Sequence, residues 1–349
     1  MRDKLLSNGF EEIFGVPCIF SYQNKALILV YVDDLPIFAK DENTLKEVVQ
    51  VIKSIYEVKE LGEIKILLGV EFLTQADELK NLNCKLYIEK CLEKFGIEET
   101  HVSLPATPGY QPEPCKETDE LPKELPYRNL LGCLQYISQR CRPDIAWPIA
   151  ALSQFTERHN TTHYRNLFKV LMYLGSSPQI GIKFLSSDPP IQLTCYVDSS
   201  WNSTVPERKS WTGYIILLNG VPVSWRVKKQ KKVAASPMEA EFVAAAEAVK
   251  EIKYLSSILS QTFNQLNLNE ISVNKPILYI DNTAAANYII TGAITTATRY
   301  IDLDLQFVHD YYKSGLFDVK HVSTKMNFAD LLTKAIPRDQ FLKFRNIMC

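Results

Sequence analysis

The stretch "IQLTCYVDSSW", residues 191–201, is a mainly apolar run that places Asp198 near its end. A second apolar run, "KPILYIDN" at 275–282, reaches Asp281 in the same way. Long helical patterns are interleaved with such runs, which predicts an α/β domain from residue 188 onward. Because α/β sheets place their sites at the carboxyl ends of strands, we expect both aspartates at a candidate site.

A third carboxylate is predicted on a helix that lies between these strands in the sequence, "SPMEAEFVAAAEAVKEIKYLSSIL" at 236–259. Ser236 suits the N-cap, Pro237 the first helical position and Glu239 the third, which together form a capping box. Glu239 therefore has a structural role at the start of the helix. Glu241, two residues further on, points in a different direction and is free for chemistry.

A fourth acid, Asp330, is expected at the start of a last helix in "STKMNFADLLTK", residues 323–334. Acids from four separate elements could then converge, and buried carboxylates must be paired, protonated or bound to metal. Oxygen ligands without His or Cys select Mg²⁺ or Mn²⁺, and two such ions about 4 Å apart stabilise both the attacking and the leaving oxygen of a phosphodiester. A single strand-end aspartate is more often a solvated rim residue, whereas the ordered set of four favours a metal site.

The residues before 188 divide into two further regions. Short apolar runs in the first hundred residues read as strands, including "IKILLGVEFL" at 64–73, with a helical pattern between them. A proline-rich and acidic segment at 104–126 predicts a linker or a long surface strap, and two helical patterns follow it. The predicted regions are a truncated first region at 1–103, a linker and helical connection at 104–187, the α/β domain at 188–338 and a C-terminal tail at 339–349.

Composition limits the class of protein more than its chemistry. The chain has 349 residues, of which 46% are hydrophobic and 23% charged, as expected for a globular protein of two or three domains. Its formal net charge of −1 means that any site for a polyanion must be a local patch. The eight cysteines form no CxxC pair, and no signal peptide or membrane-spanning apolar run is recognisable. We therefore expect an intracellular protein with reduced thiols and no membrane partner.

The stretch "LILVYVDDLPIFAK", residues 27–40, contains a second acidic feature. Asp33 and Asp34 lie between two apolar runs. This pattern is that of a hairpin with an acidic turn, and it is also that of a polymerase metal site. The pair by itself leaves both interpretations open.

Eight stretches occur along the chain in this order: "LILVYVDDLPIFA", "ELGEIKILLGVEF", "YRNLLGCLQYISQRCRPDIAWPIAALSQF", "THYRNLFKVLMYLG", "YVDSSWNSTVPERKSWTGYIILLNGVPVSWRVKKQ", "SPMEAEFVAAAEAVKE", "LYIDNTAA" and "HVSTKMNFADLLTKAIP". Together they resemble the C-terminal part of the Pol polyprotein of copia-type LTR retrotransposons, over essentially the whole chain. The resemblance implies an α/β (α+β) fold. It would consist of a partial reverse-transcriptase palm with a helical connection, followed by an RNase H-like mixed-sheet domain.

The resemblance also implies roles for the acids. It implies an RNase H site with two Mg²⁺ or Mn²⁺ ions, held by Asp198, Glu241, Asp281 and Asp330. The implied substrate is an RNA–DNA hybrid, with no small-molecule cofactor. The "YVDD" box implies polymerase metal ligands at Asp33 and Asp34. The implied partner is the upstream part of the polyprotein, and the implied location is the cytoplasm, in virus-like particles, or the nucleus.

The resemblance is incomplete at the polymerase site. In the family, a third carboxylate on a strand before "YVDD" completes that site, and the fingers and much of the palm also precede it. The chain starts with "MRDKLLSNGFEEIF", which enters directly into foldable sequence and leads us to expect a fragment. We therefore expect remnant polymerase ligands, and no RNA-directed DNA polymerase activity from this chain alone.

A basic segment lies between a predicted strand and the Glu241 helix, within "SWRVKKQKKVAAS" at 224–236. Its charged residues are Arg226, Lys228, Lys229, Lys231 and Lys232. A solvated hairpin tip is the plain interpretation of such a charge run. Its position beside the acids favours contacts with phosphates, which would give binding that depends on salt and is independent of base sequence.

Aromatic side chains near the acids have plain interpretations. We expect Trp201, Trp211 and Trp225 to pack in or beside the core, although exposed tryptophans could stack on sugars or bases. His321 lies at the end of a strand-like run and is expected to be structural.

Two function hypotheses follow. The first is a retrotransposon-derived RNase H that cleaves the RNA strand of hybrids and is attached to an incomplete polymerase. The second is a catalytically inactive nucleic-acid-binding remnant of a decayed retrotransposon. The intact set of four acids favours the first hypothesis.

Overall fold

The computed structural model describes nine stretches of the chain, namely 1–13, 15–75, 78–98, 100–116, 125–184, 190–204, 207–268, 270–293 and 303–349. The chain divides into two compact units. Unit 1 comprises Met1–Ile64, Asp188–Ile191 and Lys253–Asn274, and unit 2 comprises Lys65–Ser187, Gln192–Ile252 and Lys275–Cys349. This division does not test the predicted domain boundaries at 103, 187 and 338, which stay a prediction.

Unit 1 is built on one antiparallel sheet. Its elements are α1 (Arg2–Leu6), β1 (Phe10–Glu12), β2 (Ile19–Tyr22), β3 (Ala26–Leu29), β4 (Ile37–Ala39) and α2 (Glu42–Ile55). The strands lie in the order β1-β2-β3-β4, so the apolar runs predicted as strands form β2, β3 and β4. Asp41 caps α2 by accepting a hydrogen bond of 2.8 Å from the Thr44 amide. Val48 and Ile52 of this helix are buried in a core with Ile28 of β3.

Unit 2 contains two sheets and most of the described helices. Its elements are β5 (Ile66–Leu67), β6 (Val70–Gln75), β7 (Glu78–Asn83), α3 (Lys85–Lys94), α4 (Tyr127–Arg140), α5 (Ala146–Ser153), α6 (Thr161–Gly175), β8 (Ile182–Lys183), β9 (Leu193–Ser200), β10 (Trp211–Leu218), β11 (Val221–Lys229), α7 (Pro237–Gln265, to Ile252 in this unit), β12 (Ile277–Ile280), α8 (Thr283–Thr291), α9 (Leu303–Lys313), β13 (Asp318–His321) and α10 (Arg338–Met348). Short 3₁₀ helices occupy Pro143–Ile145, Thr324–Met326 and Phe328–Leu332. None of the helices in the described stretches combines the length and the apolar character needed to cross a bilayer.

The smaller sheet of unit 2 is antiparallel, in the order β5-β6-β7-β8. The prediction of one continuous strand over 64–73 is wrong, because the chain turns between β5 and β6. Leu68 and Gly69 form this turn with φ values of +51° and +73°. Glycine adopts such a left-handed conformation without steric cost, which allows two paired strands where the apolar run suggested one.

Helices α4, α5, α6 and α10 contribute to a common apolar core in unit 2. Two of the most buried polar side chains lie beside it: the Arg142 guanidinium donates hydrogen bonds of 2.9 and 2.8 Å to the two carboxylate oxygens of Asp144. The region predicted as a C-terminal tail forms α10, whose Phe341, Phe344 and Met348 are buried. These last residues therefore help to build the core.

The proline-rich segment follows the surface of unit 2 without helix or strand in its described part, residues 104–116. The Gly109 amide donates a hydrogen bond of 2.9 Å to the Ala335 carbonyl, and Lys169 Nζ donates one of 2.8 Å to Thr107 Oγ1. The remaining part of the predicted linker includes 117–124, which lie outside the described residues. A linker and a surface strap were the two predicted alternatives, and the contacts of the described part are those of a strap.

The larger sheet of unit 2 is mixed, with strand order β11-β10-β9-β12-β13. Strands β9, β10 and β11 are antiparallel neighbours, whereas β12 runs parallel to β9 and to β13. The predicted α/β (α+β) class with a mixed sheet is confirmed. Tyr279 of β12 pairs with Tyr196 of β9, so the same register two residues further on brings Asp281 level with Asp198.

The Asp330 segment is a 3₁₀ turn, Phe328–Leu332, and not the start of the last helix, so that detail of the prediction is wrong. Asn327 caps the start of this turn: its Oδ1 accepts a hydrogen bond from the Ala329 amide, and its Nδ2 donates one of 2.9 Å to the Val197 carbonyl of β9. The turn is thereby fixed to the sheet beside Asp198. The last helix begins only after Pro337.

Gly213 of β10 allows this close approach. It pairs with Asp198 across the sheet, and a Cβ atom at this position would lie 2.7 Å from Thr333 Cγ2 and 2.8 Å from Leu332 Cβ. Both distances are shorter than real Cβ contacts, so only glycine lets the turn lie against the strand. Sheet glycines of this kind mark the close approach of another segment.

We predict that Gly213→Ala lowers the free energy of unfolding by about 1–3 kcal/mol, because the added methyl overfills a closely packed contact. Gly132→Ala is the matched control, since Gly132 lies inside α4 and, among the described residues beyond its own helix backbone, no atom lies within 4 Å of its hypothetical Cβ. Alanine there should leave stability unchanged or raise it by up to about 1 kcal/mol. Urea unfolding curves of both variants measure the difference, and equal effects of the two changes would contradict the close approach.

Candidate metal centre

Asp198 is a buried carboxylate on the central strand β9. The Thr333 hydroxyl donates a hydrogen bond to its Oδ2, and the Lys334 ammonium lies 3.7 Å from the same atom. Burial raises the pKa of Asp198 to about 7, although the charge of Lys334 and the hydrogen bond from Thr333 act in the opposite direction. The carboxyl group therefore takes up a proton near neutral pH unless a cation stabilises its charge.

The start of α7 separates two glutamates by role. Ser236 Oγ accepts a hydrogen bond of 3.1 Å from the Glu239 amide, and the Glu239 carboxylate accepts one of 2.7 Å from the Ala235 amide. The predicted capping interaction is confirmed, except that Glu239 reaches the amide before Ser236. Glu239 is thus committed to the helix start.

Glu241 is buried on the adjacent part of α7 and faces β9. Its Oε1 accepts hydrogen bonds from the Ser199 amide at 3.2 Å and the Ser199 hydroxyl at 3.0 Å, whereas its Oε2 is buried without a hydrogen-bond partner among the described residues. Burial, followed by the negative charges of Asp198 and Asp281, raises the pKa of Glu241 well above its ordinary value. A buried oxygen without a partner is costly, so this atom is suited to bind a cation.

Asp281 follows the last residue of β12 and is half-buried. The Thr324 hydroxyl donates a hydrogen bond of 3.1 Å to its Oδ2. One carboxylate oxygen from each of Asp198, Glu241 and Asp281 lies within 4.8 Å of the other two. The three predicted residues that come from β9, α7 and β12 are therefore brought together.

Asp330 lies beside this group and is held by two side chains. Its Oδ1 is 2.8 Å from Lys334 Nζ, and its Oδ2 accepts a hydrogen bond of 3.4 Å from Gln340 Nε2. Burial raises the pKa of Asp330 against the opposing charge of Lys334. Lys334 links Asp330 to Asp198, but Asp330 is not part of the three-residue group.

The donor set fits a hard divalent cation. Its ligand atoms are carboxylate oxygens only, two of the three carboxylates are buried, and Glu241 offers an oxygen with no other partner. Mg²⁺ and Mn²⁺ prefer such oxygen ligands. A cation between these side chains would remove the electrostatic penalty that burial now imposes on their charged forms. The roles of these acids as metal ligands and catalytic residues stay predictions.

Asp33 and Asp34 are exposed in unit 1. They belong to a tight turn in which the Tyr31 amide and the Asp34 amide each donate a hydrogen bond of 2.9 Å to the other residue's carbonyl, with Val32 at φ +52°. Within the described stretches, no third ligand residue completes a metal-binding group with this pair. The hairpin interpretation of the turn is confirmed, and the metal role stays a prediction.

The basic segment is partly neutralised within the protein. Lys228 Nζ lies 3.0 Å from Glu247, and Lys229 Nζ lies 2.7 Å from Glu207. The other three basic side chains of the segment are exposed: Arg226, Lys231 and Lys232. The segment covers the carboxyl-terminal part of β11 and then leads into α7, so it forms no hairpin tip.

The tryptophans differ in their exposure. Trp211 is buried and Trp225 is partly buried, as predicted. The prediction is wrong for Trp201, which is 43% exposed. Its ring is nevertheless held in place, because the indole Nε1 donates a hydrogen bond of 3.0 Å to the Ala234 carbonyl.

Some residues of the site were not among those predicted. Ser199 and Thr324 orient the acids from neighbouring positions, and their roles follow only from the folded sheet. Lys334 had a signal in the sequence, because it follows Asp330 at the spacing of i and i+4. His321 ends β13 as predicted, with Nε2 3.1 Å from the Asp281 carbonyl.

Comparisons with known proteins agree with the resemblance seen in the sequence. Residues 2–108 match the family model described as reverse transcriptase (RNA-dependent DNA polymerase). The chain is also 32% identical to a putative transposon Ty5-1 protein of Saccharomyces cerevisiae, over 64% of this chain and 73% of that protein. The chain belongs to the family of copia-type retrotransposon Pol polyproteins. The predicted family is thereby confirmed.

The relatives of this Pol chain are mostly much longer. It is 31% identical to the Pol polyprotein from transposon RE2 of Arabidopsis thaliana, over 99% of this chain and 23% of the plant protein. The chain thus spans about a quarter of the length of the full Pol polyproteins it matches. Among solved structures, RNase H1 from Halobacterium salinarum aligns with 44% of this chain and 98% of that chain, at a TM-score of 0.29 and 15% identity.

We predict that the metal-free protein becomes less stable as pH rises from about 4 to about 7. Asp198 has a pKa of about 7 in the folded state and an ordinary value near 3.8 when unfolded, so the folded state binds the extra proton in this range. The resulting loss is up to about 4 kcal/mol for this one carboxyl. Thermal melting in EDTA across this range measures it.

Asp198→Asn should flatten this pH dependence, because the amide does not titrate. The control is Asp310→Asn, which changes an exposed aspartate on α9. A pH profile of Asp198→Asn that matches the unmodified chain would contradict the assignment of the buried proton.

Proposed function

We propose that this Pol chain is a ribonuclease H that hydrolyses the RNA strand of RNA–DNA hybrids, attached to an incomplete RNA-directed DNA polymerase. The observation that carries the proposal is the approach of Asp198, Glu241 and Asp281, whose ligand oxygens lie within 4.8 Å of one another. Two of these carboxylates are buried without enough cationic partners for charge balance. Such an arrangement is typical of a site that gains its counter-charge from divalent metal.

Each acid has a neighbour that orients it. Ser199 holds Oε1 of Glu241 and leaves Oε2 free, while Thr324 holds Oδ2 of Asp281. Thr333 fixes Asp198. These hydrogen bonds hold the ligand oxygens before any cation arrives, which reduces the reorganisation that binding requires. When bound, two Mg²⁺ or Mn²⁺ ions supply the charge that activates water and stabilises the departing oxygen of the phosphodiester.

Asp330 and Lys334 complete the charge distribution on the side of the 3₁₀ turn. Asp330 would serve as the fourth ligand residue, together with Asp198. Lys334 supplies a positive charge between the two carboxylates. Because Asn327 fixes the turn to β9, the backbone that carries Asp330 keeps its position relative to Asp198.

The hybrid substrate would lie over the exposed basic segment and Trp201. Arg226, Lys231 and Lys232 are exposed, and such side chains neutralise backbone phosphates without reading the base sequence. Lys228 and Lys229 would join them only by leaving their acidic partners. The anchored and exposed indole of Trp201 is suited to stacking on a sugar or base. An RNA strand would be distinguished by its 2′-hydroxyl groups.

The polymerase function is proposed to reside in a larger protein. Asp33 and Asp34 would be two of its metal ligands, and the third carboxylate would come from the upstream part of the polyprotein. We therefore propose no polymerase activity for this chain alone. The regions 1–103, 104–187 and 188–338 are proposed as the polymerase part, the connection and the RNase H domain, acting inside the cell in the cytoplasm or the nucleus.

We predict that the chain cleaves the RNA strand of a labelled hybrid in Mg²⁺ or Mn²⁺ and not in EDTA. Asp281→Asn should lower the rate by at least about 100-fold, because it removes a ligand while its half-buried position lets the fold remain. Gel analysis of a 5′-labelled RNA strand measures cleavage, and circular dichroism checks folding.

Asp318→Asn is the matched control, since Asp318 is an exposed aspartate at the start of the neighbouring strand β13. It should cleave at the rate of the unmodified chain. Equal cleavage by Asp281→Asn and the control would contradict the proposed site. Hybrid binding without cleavage in either metal would instead support a catalytically inactive nucleic-acid-binding remnant.

A further inference from the structure

Lys334 is a cation in the middle of the acidic site. Its Nζ lies 2.8 Å from Asp330 Oδ1 and 3.7 Å from Asp198 Oδ2. Among the described residues, Lys334 is the only cation that forms an ion pair with any of the four acids. It pairs with Asp198 and Asp330, while Glu241 and Asp281 have no ion pair. The positive charge is therefore placed on one side of the site, between the two carboxylates that the β9 strand and the 3₁₀ turn contribute.

The backbone around Lys334 is held by hydrogen bonds, whereas its side chain is partly exposed to solvent. The Lys334 amide donates a hydrogen bond of 3.2 Å to the Asp330 carbonyl, and the Thr333 hydroxyl donates to Asp198 Oδ2 and lies 3.2 Å from the Asp330 carbonyl. The side chain itself is 43% exposed, compared with 4% for Asp198 and 3% for Asp330. The ammonium can therefore move toward solvent while the two carboxylates stay in place.

We infer that the Lys334 ammonium is a resident counter-ion between Asp198 and Asp330, where a second divalent cation would bind in the proposed two-metal site. The inference rests on the proposed metal site and adds an order of occupation to it. The first cation binds at Asp198, Glu241 and Asp281, where the ammonium approaches only Asp198 and at the longer distance of 3.7 Å. The second cation binds only when it displaces Lys334, so it binds more weakly.

The physical basis is competition between two cations for the same oxygens. An ammonium at 2.8 Å from a buried carboxylate is strongly attracted at low dielectric, and a divalent ion must overcome this attraction together with its own dehydration. A purely structural ion pair makes a different prediction. Its removal would change the stability of the protein and leave metal binding unaltered.

The test is calorimetric titration of the full chain with MgCl₂ in four forms: unmodified, Lys334→Gln, Lys334→Arg and Lys325→Gln. The unmodified chain should bind two ions in two separable phases. In Lys334→Gln the second phase should become at least about 10-fold tighter, because the competing charge is absent. Lys334→Arg keeps the charge and should resemble the unmodified chain. Lys325→Gln removes an exposed lysine from the neighbouring 3₁₀ helix and should also leave both phases unchanged.

Melting curves of the metal-free protein provide a second test of the role of Lys334 as a counter-ion. Without its counter-ion, Lys334→Gln should melt at a lower temperature than the unmodified chain at pH 8, and saturating Mg²⁺ should remove this difference. If Lys334→Gln folds only with Mg²⁺, the inference is supported, since the metal replaces the ammonium. A variant that stays unfolded at saturating Mg²⁺ would overturn it.

The remaining outcomes separate this inference from the proposed function. If the unmodified chain binds Mg²⁺ and Lys334→Gln gives the same two phases, the resident counter-ion is wrong and the metal site stands. If the unmodified chain binds no divalent cation, both the inference and the proposed function are overturned.

Discussion

The burial of several carboxylates near the carboxyl ends of the neighbouring strands β9 and β12 is the constraint on which the rest of unit 2 depends. Asp198 and Glu241 are each less than a tenth exposed, and Asp330 lies nearby behind Lys334. Like charges out of water are strongly unfavourable without compensation. The free protein has one lysine in contact with two of these acids and raised pKa values for three of them. The charged form of the site is therefore stable only with additional cations.

The fold holds these acids in place through a small number of close contacts. The parallel register of β9 and β12 sets Asp198 and Asp281 at the same level. Gly213 lets the 3₁₀ turn lie directly on β10, and Asn327 ties that turn to the Val197 carbonyl. Unit 1 provides a contrast, because the acidic pair in its turn is exposed to water and needs no such support. Two solvated carboxylates do not by themselves indicate a metal site, because a third ligand residue is needed to complete one.

Much of the site could be predicted from the sequence because its signals are local. Apolar runs that lead to an aspartate predicted the strands, and the capping pattern at Ser236 separated Glu239 from Glu241. The remaining features depend on contacts between distant segments. The close approach at Gly213, the hydrogen bond from Asn327 to the Val197 carbonyl and the exposure of Trp201 all follow from tertiary structure. The turn at Gly69 could not be predicted, because the apolar run continues on both sides of this residue.

The central claim is that the three convergent carboxylates form a divalent-metal site. The most direct measurement is anomalous X-ray diffraction from a crystal of the chain grown with MnCl₂. The account predicts a manganese peak within bonding distance of one oxygen from each of Asp198, Glu241 and Asp281, including the unpartnered Oε2 side of the glutamate. The absence of any peak there at saturating Mn²⁺, with the carboxyl groups protonated and hydrogen-bonded to one another, would contradict it.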